Sequence, residues 1–482
     1  MSSGHRGCPL RARALKWLHV LKTLAVYRLI DPGSEWRLHR HWFSSSAIGD
    51  LLGEDLAVAQ PDTLYRCMDL LLAHKRALFA FLKARWESLF EARFEVLLYD
   101  LTSTYFECDP PEEGKRRYGY SRDKRSDCVQ VLIALIVTPE GFPLAYEVMA
   151  GNTAENTTLE AFVEQIERQY GAAERIWVMD RGIPTEAVLS KLRTRTPPVR
   201  YLVGTPKGRL SALESRFLEL PWERAREEVQ VKLLSREGEL YILARSEGRV
   251  HKERGMRRRA LKRLVKRLRE LQAQKLTRDE LLMKLGAARK EAGGVYAAVA
   301  IELPPKDQPR QAHSFRFTLN RAKLRQVRRR EGHYLLRSNL SEESPAKLWQ
   351  FYIQLTEVEQ AFKELKSELA VRPIYHQKDE RIEAHIFVAF LAYCLQVTLK
   401  ARLRSVATGL TPRAVLEKLA GMQMVDVRLP TTDGRELLLT RYTEPDADQR
   451  LLLTHMKMQL PKQLPPKIVS SNPAATTAPT SM

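Results

Sequence analysis

Glu95–Phe106 reads EVLLYDLTSTYF, and the rest of the chain is organised around this stretch. The apolar residues from Val96 to Tyr99 favour a β-strand, and they lead directly into a carboxylate, Asp100. A carboxylate in a buried strand is costly unless it is hydrogen-bonded, paired with a cation or bound to a metal ion. Asp100 therefore either has a structural partner or is there to hold a cation.

Length and charge restrict the class of protein. The chain has 482 residues, which exceeds one ordinary domain, and its hydrophobic content of 44% is typical of a globular protein. It carries 79 Lys and Arg residues against 58 Asp and Glu residues, a net charge of +21. Such an excess favours a polyanionic partner, with nucleic acid ahead of an anionic membrane surface.

Cysteine usage and hydropathy indicate the compartment. The five cysteines are scattered, with neither a CxxC motif nor a Cys/His cluster, which disfavours a disulfide framework or a zinc module. The longest apolar run, Ile386 to Leu399, is too short to span a bilayer, and basic residues interrupt the apolar residues near the N-terminus. The sequence therefore predicts a soluble cytoplasmic protein without a membrane partner.

Strand and helix patterns give the expected fold. Residues 1–90 show leucines at helical spacing and predict helices, whose basic residues could contact DNA or simply face solvent. After the Asp100 strand, further strands are predicted at Cys128–Val137, Phe142–Met149, Arg175–Met179 and Val199–Val203. One helix is predicted over about 155–169, and Pro184 is expected to open another. This order predicts an α/β fold with a mixed sheet flanked by helices.

The fourth predicted strand ends on a second carboxylate, Asp180. If this strand lies beside the first, Asp100 and Asp180 are neighbours across one edge of the sheet. Asp180 could instead cap the helix near Pro184, a common role for Asp, and Arg181 could be a surface cation.

Composition divides the chain into five predicted regions. From about Thr205 the pattern changes to strand-like pieces around a very basic helix, Arg254 to Lys275. Its almost one-signed charge suits the DNA backbone, although a solvated helix is the alternative. The regions are a helical N-terminal part (1–90), a first core part (91–204), an inserted α+β domain (205–335), a second core part (336–425) and a C-terminal extension (426–482). The tail from Pro461, rich in Pro, Ala, Thr and Ser, is expected to be disordered.

A single amphipathic helix is predicted for Leu348–Leu369, which reads LWQFYIQLTEVEQAFKELKSEL. Its apolar residues recur every three or four positions and form one stripe. Three of its acids, Glu357, Glu364 and Glu368, fall on the predicted solvent face. Glu359 falls instead at the edge of the apolar stripe.

Three polar residues of this helix share one side. Tyr352, Glu359 and Lys366 are seven residues apart, and a heptad drifts by only about 20° on a helix. Glu359 and Lys366 are then about two turns, roughly 10 Å, apart, too far to pair directly. A shared ligand, with a metal ion at Glu359 and a phosphate at Lys366, explains both residues better than a structural ion pair.

Three acidic positions resemble the acidic triad of DDE transposases with an RNase H-like core. They are Asp100 on a strand, Asp180-Arg181-Gly182 after another strand, and Glu359 on a helix, in this order along the chain. The pattern Tyr352-x2-Leu355-x3-Glu359-x6-Lys366 is similar to the Tyr-Arg-Glu-Lys signature of insertion-sequence transposases of the IS-four type. One position departs, because Leu355 stands where the signature has Arg. Gly151-Asn152-Thr153 and Arg372-Pro373-Ile374-Tyr375-His376 are also similar to that group, and the resemblance spans about 91–425.

The resemblance implies a transposase that cuts DNA at the ends of an insertion sequence and joins them to target DNA. Two Mg²⁺ ions, for which Mn²⁺ could substitute, are implied, with Asp100 bridging them and Asp180 and Glu359 each completing one. The implied partners are double-stranded DNA, namely terminal inverted repeats and target DNA, and a second subunit in a synaptic homodimer at the bacterial nucleoid. Residues expected to contact DNA are Tyr352, Lys366, Arg181, Arg257, Arg258, Arg259, Lys262, Arg263 and Lys266.

Two other functions stay open from the sequence. One is a catalytically inactive DNA-binding protein derived from such an enzyme, which the three intact acids disfavour. The other is a metal-dependent nuclease without strand transfer. His376 and His385 are interpreted as packing residues, not ligands.

Overall fold

The computed structural model describes residues 9–172, 174–205, 213, 216–274, 276–303 and 315–470. The chain forms two compact units. The first unit comprises Met1–Trp177 with Gln354–Met482, and the second unit comprises Val178–Ile353. The five regions expected from the sequence stay predictions.

The described strands lie in three sheets. Their bounds are β1 (Val96–Phe106), β2 (Val129–Val137), β3 (Pro143–Ala150), β4 (Ile176–Met179), β5 (Arg200–Thr205), β6 (Glu223–Arg226), β7 (Val229–Arg236), β8 (Glu239–Ser246), β9 (Val299–Glu302), β10 (Arg316–Leu319), β11 (His333–Ser338), β12 (Met424–Pro430), β13 (Arg435–Tyr442) and β14 (Lys467–Ser470).

Sixteen α-helices occur among the described residues, and shorter 3₁₀ and π segments join several of them. Their bounds are α1 (Pro9–Ile30), α2 (Glu35–Arg37), α3 (Phe43–Ser45), α4 (Ile48–Leu52), α5 (Pro61–Leu71), α6 (Lys75–Phe90), α7 (Thr158–Tyr170), α8 (Glu186–Thr194), α9 (Glu247–Ala273), α10 (Arg278–Ala292), α11 (Arg321–Arg329), α12 (Pro345–Ile353), α13 (Leu355–Lys363), α14 (Asp379–Val406), α15 (Pro412–Leu419) and α16 (Ala447–His455).

The sheet of the first unit has the order β3-β2-β1-β4. β1, β2 and β3 are joined as antiparallel neighbours, as their hairpin spacing predicts. Every residue of β2 is buried, which explains its continuous apolar sequence. The backbone N–H of Ile176, where β4 begins, donates to the carbonyl of Glu95 at 2.7 Å. β4 therefore lies beside β1, the arrangement that the sequence left as a condition.

The sheet of the second unit has the order β4-β5-β11-β8-β7-β6. The strand-like pieces of the expected insertion thus lengthen this sheet. α9 and α10 form a helical hairpin around an apolar cluster that includes Leu264, Leu268 and Leu285. The predicted α/β fold, a large mixed sheet flanked by helices, is confirmed.

Several element limits differ from the sequence predictions. α8 begins at Glu186, not at Pro184, because the side chain of Thr185 caps it by accepting from the N–H of Val188 at 3.3 Å. The tail from Pro461 was expected to be disordered, but Lys467–Ser470 pairs with β13 as β14. Residues 471–482 of that tail lie outside the described residues, as does Lys275, the expected end of the basic helix.

Helix α14 is the core helix of the first unit. By length and composition alone it could cross a membrane, but 72% of its most apolar window is buried inside the protein. Tyr146 of β3 stacks on Phe390 of α14 with ring centroids 3.9 Å apart. α1 and α5 also pack against this helix. Its apolar sequence is therefore explained by burial in the protein core.

A buried ion-pair cluster connects the N-terminal helices to α14. Arg28 Nη2 donates to Glu35 Oε1 at 3.2 Å, and His385 Nδ1 lies 2.9 Å from the same oxygen. His376 Nε2 lies 3.4 Å from the other oxygen, Glu35 Oε2. Glu35, His376 and His385 are close enough to hold a metal ion, but the guanidinium of Arg28 already neutralises the carboxylate and would repel a second cation.

Replacing Glu35 with Gln is expected to destabilise the first unit by about 3–5 kcal/mol, because the change leaves Arg28 buried without its counter-charge. Denaturant unfolding of both proteins at pH 7 measures the difference. Asp31→Asn is the control: its pair with Arg37 is 40% and 47% exposed, so the expected loss is about 1 kcal/mol or less. Equal losses for the two variants would contradict the buried-pair interpretation.

The effect of Glu35→Gln should also depend on pH. Burial alone would raise the pKa of Glu35, but His385, His376 and Arg28 outweigh it and hold the pKa well below its usual range. A depressed pKa stabilises the fold fully above the pKa of an unfolded Glu, about 4.3, and this stabilisation is lost as the pH falls through the folded pKa. The difference between wild type and variant should therefore narrow only below about pH 4. A difference that narrows between pH 8 and pH 5 would contradict this assignment.

Candidate active site

Asp100 lies in the middle of β1, opposite Leu135 of β2, with its side chain 17% exposed. Arg122, from the loop between β1 and β2, approaches it: Arg122 Nη1 is 3.4 Å from Asp100 Oδ1. The other end of the same guanidinium, Nη2, donates to Glu155 Oε1 at 2.8 Å. One guanidinium therefore bridges two carboxylates. Asp100 therefore has the structural partner that its sequence context allowed, and its role as a metal ligand stays a prediction.

Asp180 directly follows β4 in the second unit and is exposed. Tyr352 of α12 donates its hydroxyl hydrogen to Asp180 Oδ1 at 3.1 Å. Burial, followed by the charge of Asp180, raises the pKa of Tyr352, so the phenol remains a donor at neutral pH. Thr185, not Asp180, caps α8, which excludes the helix-cap alternative for Asp180.

Gly204 of β5 makes room for this pair. A Cβ atom at residue 204 would lie 2.6 Å from Tyr352 Oη and 3.1 Å from Asp180 Oδ1. Any larger side chain would displace the hydrogen bond between Tyr352 and Asp180. Sequence reasoning missed Gly204, although a glycine inside a strand pattern is a known sign of close backbone approach.

Glu359 lies on α13 in the first unit, and α13 packs against β1 and β2. Its side chain is exposed and makes no hydrogen bond or ion pair with any residue that the structure describes. Leu355 and Phe362, about one turn before and after it, are buried, so Glu359 lies beside the buried stripe with its carboxylate in solvent. Glu359 presents a carboxylate to solvent from the helix that covers the Asp100 strand.

The prediction that Glu357, Glu364 and Glu368 face solvent is wrong. Glu357 pairs with Lys400 of α14 at 3.0 Å, Glu364 is buried, and Glu368 accepts from Gln396 of α14 at 3.0 Å. The reason is a second packing partner: the sheet covers one side of this segment and α14 contacts another. Periodicity finds one apolar stripe but cannot reveal a polar face buried by paired side chains.

The segment is also not one continuous helix. It is interrupted at Gln354, between α12 and α13, and ends in a π-helical turn, Glu364–Glu368. Both irregularities change the angular spacing on which the predicted line of Tyr352, Glu359 and Lys366 depends.

Lys366 lies in the π-helical turn and is only 14% exposed. Its Nζ lies 3.1 Å from each oxygen of Asp123, and Arg372 Nη1 lies 2.8 Å from Asp123 Oδ2. Burial lowers the pKa of Lys366, against the attraction of Asp123. The loop between β1 and β2 thus places two adjacent residues of opposite charge, Arg122 and Asp123, against Asp100 and Lys366. The sequence showed only a polar loop here, so it missed Arg122, Asp123 and the charged role of Arg372.

The basic helix α9 in the second unit exposes most of its predicted DNA contacts. Arg258, Arg259, Lys262, Arg263 and Lys266 are exposed, and Arg181 after β4 is exposed as well. Arg257 is a correction: its side chain is 8% exposed and forms an ion pair with Glu331, which removes it from the accessible basic face.

A cleft of about 1000 Å³ runs beside this basic face. Arg259, Lys262, Arg263 and Lys266 line one side of it. The rest of the lining is largely apolar, with Met256, Val295, Ala298 and Val327 among its residues, and it also includes Arg330 and the carboxylates Glu253 and Glu331. The exposed cations of α9 therefore form one surface that could follow a polyanion.

Known proteins share features with this chain. Residues 95–395 match the family model described as "Transposase DDE domain". No curated protein matches this chain. A cryo-EM structure of the piggyBac transposase synaptic complex with hairpin DNA is similar at 10% identity and a TM-score of 0.36, covering 87% of this chain and 78% of that one. The family match includes Asp100, Asp180 and Glu359 and extends over more than half of the sequence, so the chain belongs to the DDE transposase domain family.

Proposed function

We propose that this protein is an insertion-sequence transposase of the IS-four type, which cuts the ends of a mobile element and joins them to target DNA. The observation that carries the proposal is the family match over residues 95–395, within which Asp100, Asp180, Glu359 and Lys366 all fall. The net charge of +21 and the exposed cations of α9 support DNA as the substrate. The proposed partners are terminal inverted repeats, target DNA and a second subunit, in the bacterial cytoplasm.

The proposed cofactor is a pair of Mg²⁺ ions, with Mn²⁺ as a substitute. Asp100, Asp180 and Glu359 would hold them, and all three donors are carboxylate oxygens, which such hard cations prefer. When bound, ions of this kind activate water or a 3′-hydroxyl group and stabilise the leaving oxygen. The exposed carboxylates of Asp180 and Glu359 fit this assignment. At Asp100 the guanidinium of Arg122 lies 3.4 Å from Oδ1, so it would have to move aside when a metal ion binds.

The chain's own residues would orient the site and the DNA. Tyr352 holds one oxygen of Asp180 and thereby fixes the direction of the carboxylate. Lys366 and Arg372 present two positive charges to Asp123, an arrangement that a DNA phosphate could take over. Leu355 cannot replace the signature Arg in a charged contact, since its side chain is buried and apolar. Arg372 already pairs with Asp123, so it is the candidate to make the contact of the signature Arg.

The proposal is tested with the DNA that flanks the reading frame. Fragments carrying its inverted repeats are incubated with the protein and Mg²⁺, and the products are separated on gels. Cleaved ends together with joined products are expected. Cleavage without joining would indicate a nuclease without strand transfer, and binding without cleavage would indicate an inactive DNA-binding descendant.

Glu359→Gln is expected to lower Mg²⁺-dependent end cleavage by several orders of magnitude, because one metal ligand loses its charge. Since Glu359 is exposed and unpaired among the described residues, the melting temperature without metal should stay equal or rise slightly. DNA binding should persist, because phosphate contacts dominate affinity.

The matched control for this change is Glu357→Gln. Glu357 pairs with Lys400 and both side chains are about one-third exposed, so the control should cost about 1 kcal/mol or less of stability while leaving cleavage intact. Near wild-type cleavage by Glu359→Gln would refute its role as a metal ligand.

Lys366→Ala and Asp123→Asn separate catalysis from structure, because both break the same ion pair. Asp123→Asn also breaks the pair with Arg372, so its melting temperature should fall at least as far as that of Lys366→Ala. Only Lys366→Ala removes the proposed phosphate contact, so it should reduce cleavage far more than Asp123→Asn does. If cleavage falls equally in both variants, Lys366 serves only as a structural partner of Asp123.

Salt dependence tests the basic face of α9. The double variant Lys262→Glu, Lys266→Glu should weaken DNA binding and reduce the slope of log K against log salt by about 0.9 for each phosphate that the protein no longer neutralises. Lys284→Glu with Lys290→Glu on α10 changes the net charge by the same amount and should leave that slope nearer to wild type. Equal slopes for the two double variants would remove α9 from the DNA interface.

A further inference from the structure

The C-terminal sheet of the first unit has an apolar edge strand. Its order is β12-β13-β14, so β12 pairs with β13 alone among the described strands. Val425, Val427 and Leu429 of β12 are 44%, 42% and 45% exposed. Proteins usually blunt such an edge, because its unpaired backbone groups can join another strand.

Backbone geometry shows which groups of β12 point outward. Thr443 N donates to Gln423 O and Thr431 N donates to Arg435 O, both at 2.8 Å, just beyond the two ends of the β12–β13 ladder. Hydrogen-bonded pairs alternate along an antiparallel ladder, so Val425, Val427 and Leu429 direct their backbone groups toward β13. The intervening residues direct theirs to the open edge, namely Met424, Asp426, Arg428 and Pro430.

The side chains of this edge are self-complementary. We infer that β12 is a self-association strand that pairs antiparallel with β12 of a second copy of this chain, centred on Val427. In that register Asp426 of one copy exchanges both backbone hydrogen bonds with Arg428 of the other copy. By symmetry, Arg428 of the first copy exchanges both with Asp426 of the other. Each pair also sets a carboxylate opposite a guanidinium.

Charge selects this register over its neighbours. A shift by two residues in one direction places Asp426 opposite Asp426 of the second copy. A shift by two in the other direction places Arg428 opposite Arg428 of the second copy. Like charges that face each other across strands are destabilising. A shift by one residue would oppose the apolar face of one copy to the polar face of the other. Pro430, which has no N–H to donate, then lies at the end of the ladder and limits its length.

The same register joins two apolar surfaces. Val427 lies opposite Leu439, and Leu429 lies opposite Leu437, which in turn lies opposite Ile468 of β14. These side chains therefore share one face of the sheet. Pairing brings Val427 next to Val427 of the second copy, and Val425 next to Leu429 of the second copy. The aliphatic faces of the two C-terminal sheets then become continuous.

Contacts within the chain leave the edge available. Arg428 Nη1 lies 3.3 Å from Glu436 in a pair whose side chains are 64% and 33% exposed. Asp426 Oδ1 accepts from the Thr440 hydroxyl at 2.7 Å, which leaves its other oxygen for a partner. Exposed pairs of this kind contribute little stability, so exchange with a second copy costs little.

The proposal goes beyond the DNA chemistry and is tested without DNA or metal. Full-length protein is studied by analytical ultracentrifugation over a concentration series, where reversible dimerisation is expected. Asp426→Arg should weaken the dimer about tenfold, because both cross-copy pairs become repulsive. The double change Asp426→Arg, Arg428→Asp should restore association. A monomer at all concentrations, or no loss with Asp426→Arg, would overturn the proposal.

Cross-linking tests the register itself, in a Cys8→Ser, Cys108→Ser background. This background removes Cys108, the exposed thiol among the described residues, and Cys8, which lies outside them. Val427→Cys should form a disulfide-linked dimer on mild oxidation, because the two copies face each other at a non-hydrogen-bonded position, about 4.5 Å apart at Cα. Val425→Cys should not cross-link alone but should do so when mixed with Leu429→Cys. Efficient self-cross-linking of Val425→Cys would refute the Val427-centred register.

Discussion

A carboxylate in the middle of a buried strand must have its charge compensated, and the arrangement of charged side chains around Asp100 meets that requirement. Arg122 supplies the cation and shares it with Glu155. Its neighbour Asp123 supplies the opposite charge to Lys366 and Arg372. One dipeptide thus presents a cation to a proposed metal ligand and an anion to the proposed phosphate-binding cations. On the proposed function, metal and DNA would bring the same charges to the same side chains.

Packing holds these groups in place in each unit. In the first unit α13 lies on β1 and β2, while the π-helical turn that follows it contacts α14, so the helix that carries Glu359 is fixed on more than one side. The Glu35 cluster ties α14 to the N-terminal helices. In the second unit Gly204 leaves the space in which Tyr352 reaches Asp180. Glu359 is therefore carried by a packed helix and Asp180 directly follows a buried strand, and packed elements of this kind suit a preorganised site.

Local patterns predicted what depends on local sequence. The apolar runs that end at Asp100 and Asp180 predicted both strands, and the hairpin spacing predicted that β1, β2 and β3 are antiparallel neighbours. The contacts around these acids were not readable, because Arg122 is 22 residues from Asp100 and Asp123 is 243 residues from Lys366. The break at Gln354 carries no Pro or Gly to mark it. By contrast, the capping box at Thr277 and Glu280 and the Asp433-Gly434 turn were legible signals for α10 and the β12–β13 hairpin that the sequence reading missed.

On the proposed function, Asp100, Asp180 and Glu359 bind the catalytic metal ions. The most direct measurement replaces Mg²⁺ with Fe²⁺ and generates hydroxyl radicals with ascorbate and peroxide, so that the backbone is cut beside each bound ion. The account predicts cuts next to all three carboxylates, suppressed by excess Mg²⁺ and reduced by Glu359→Gln. Cuts confined to the surroundings of Glu35, His376 and His385, or cuts at the three acids that excess Mg²⁺ does not suppress, would contradict it.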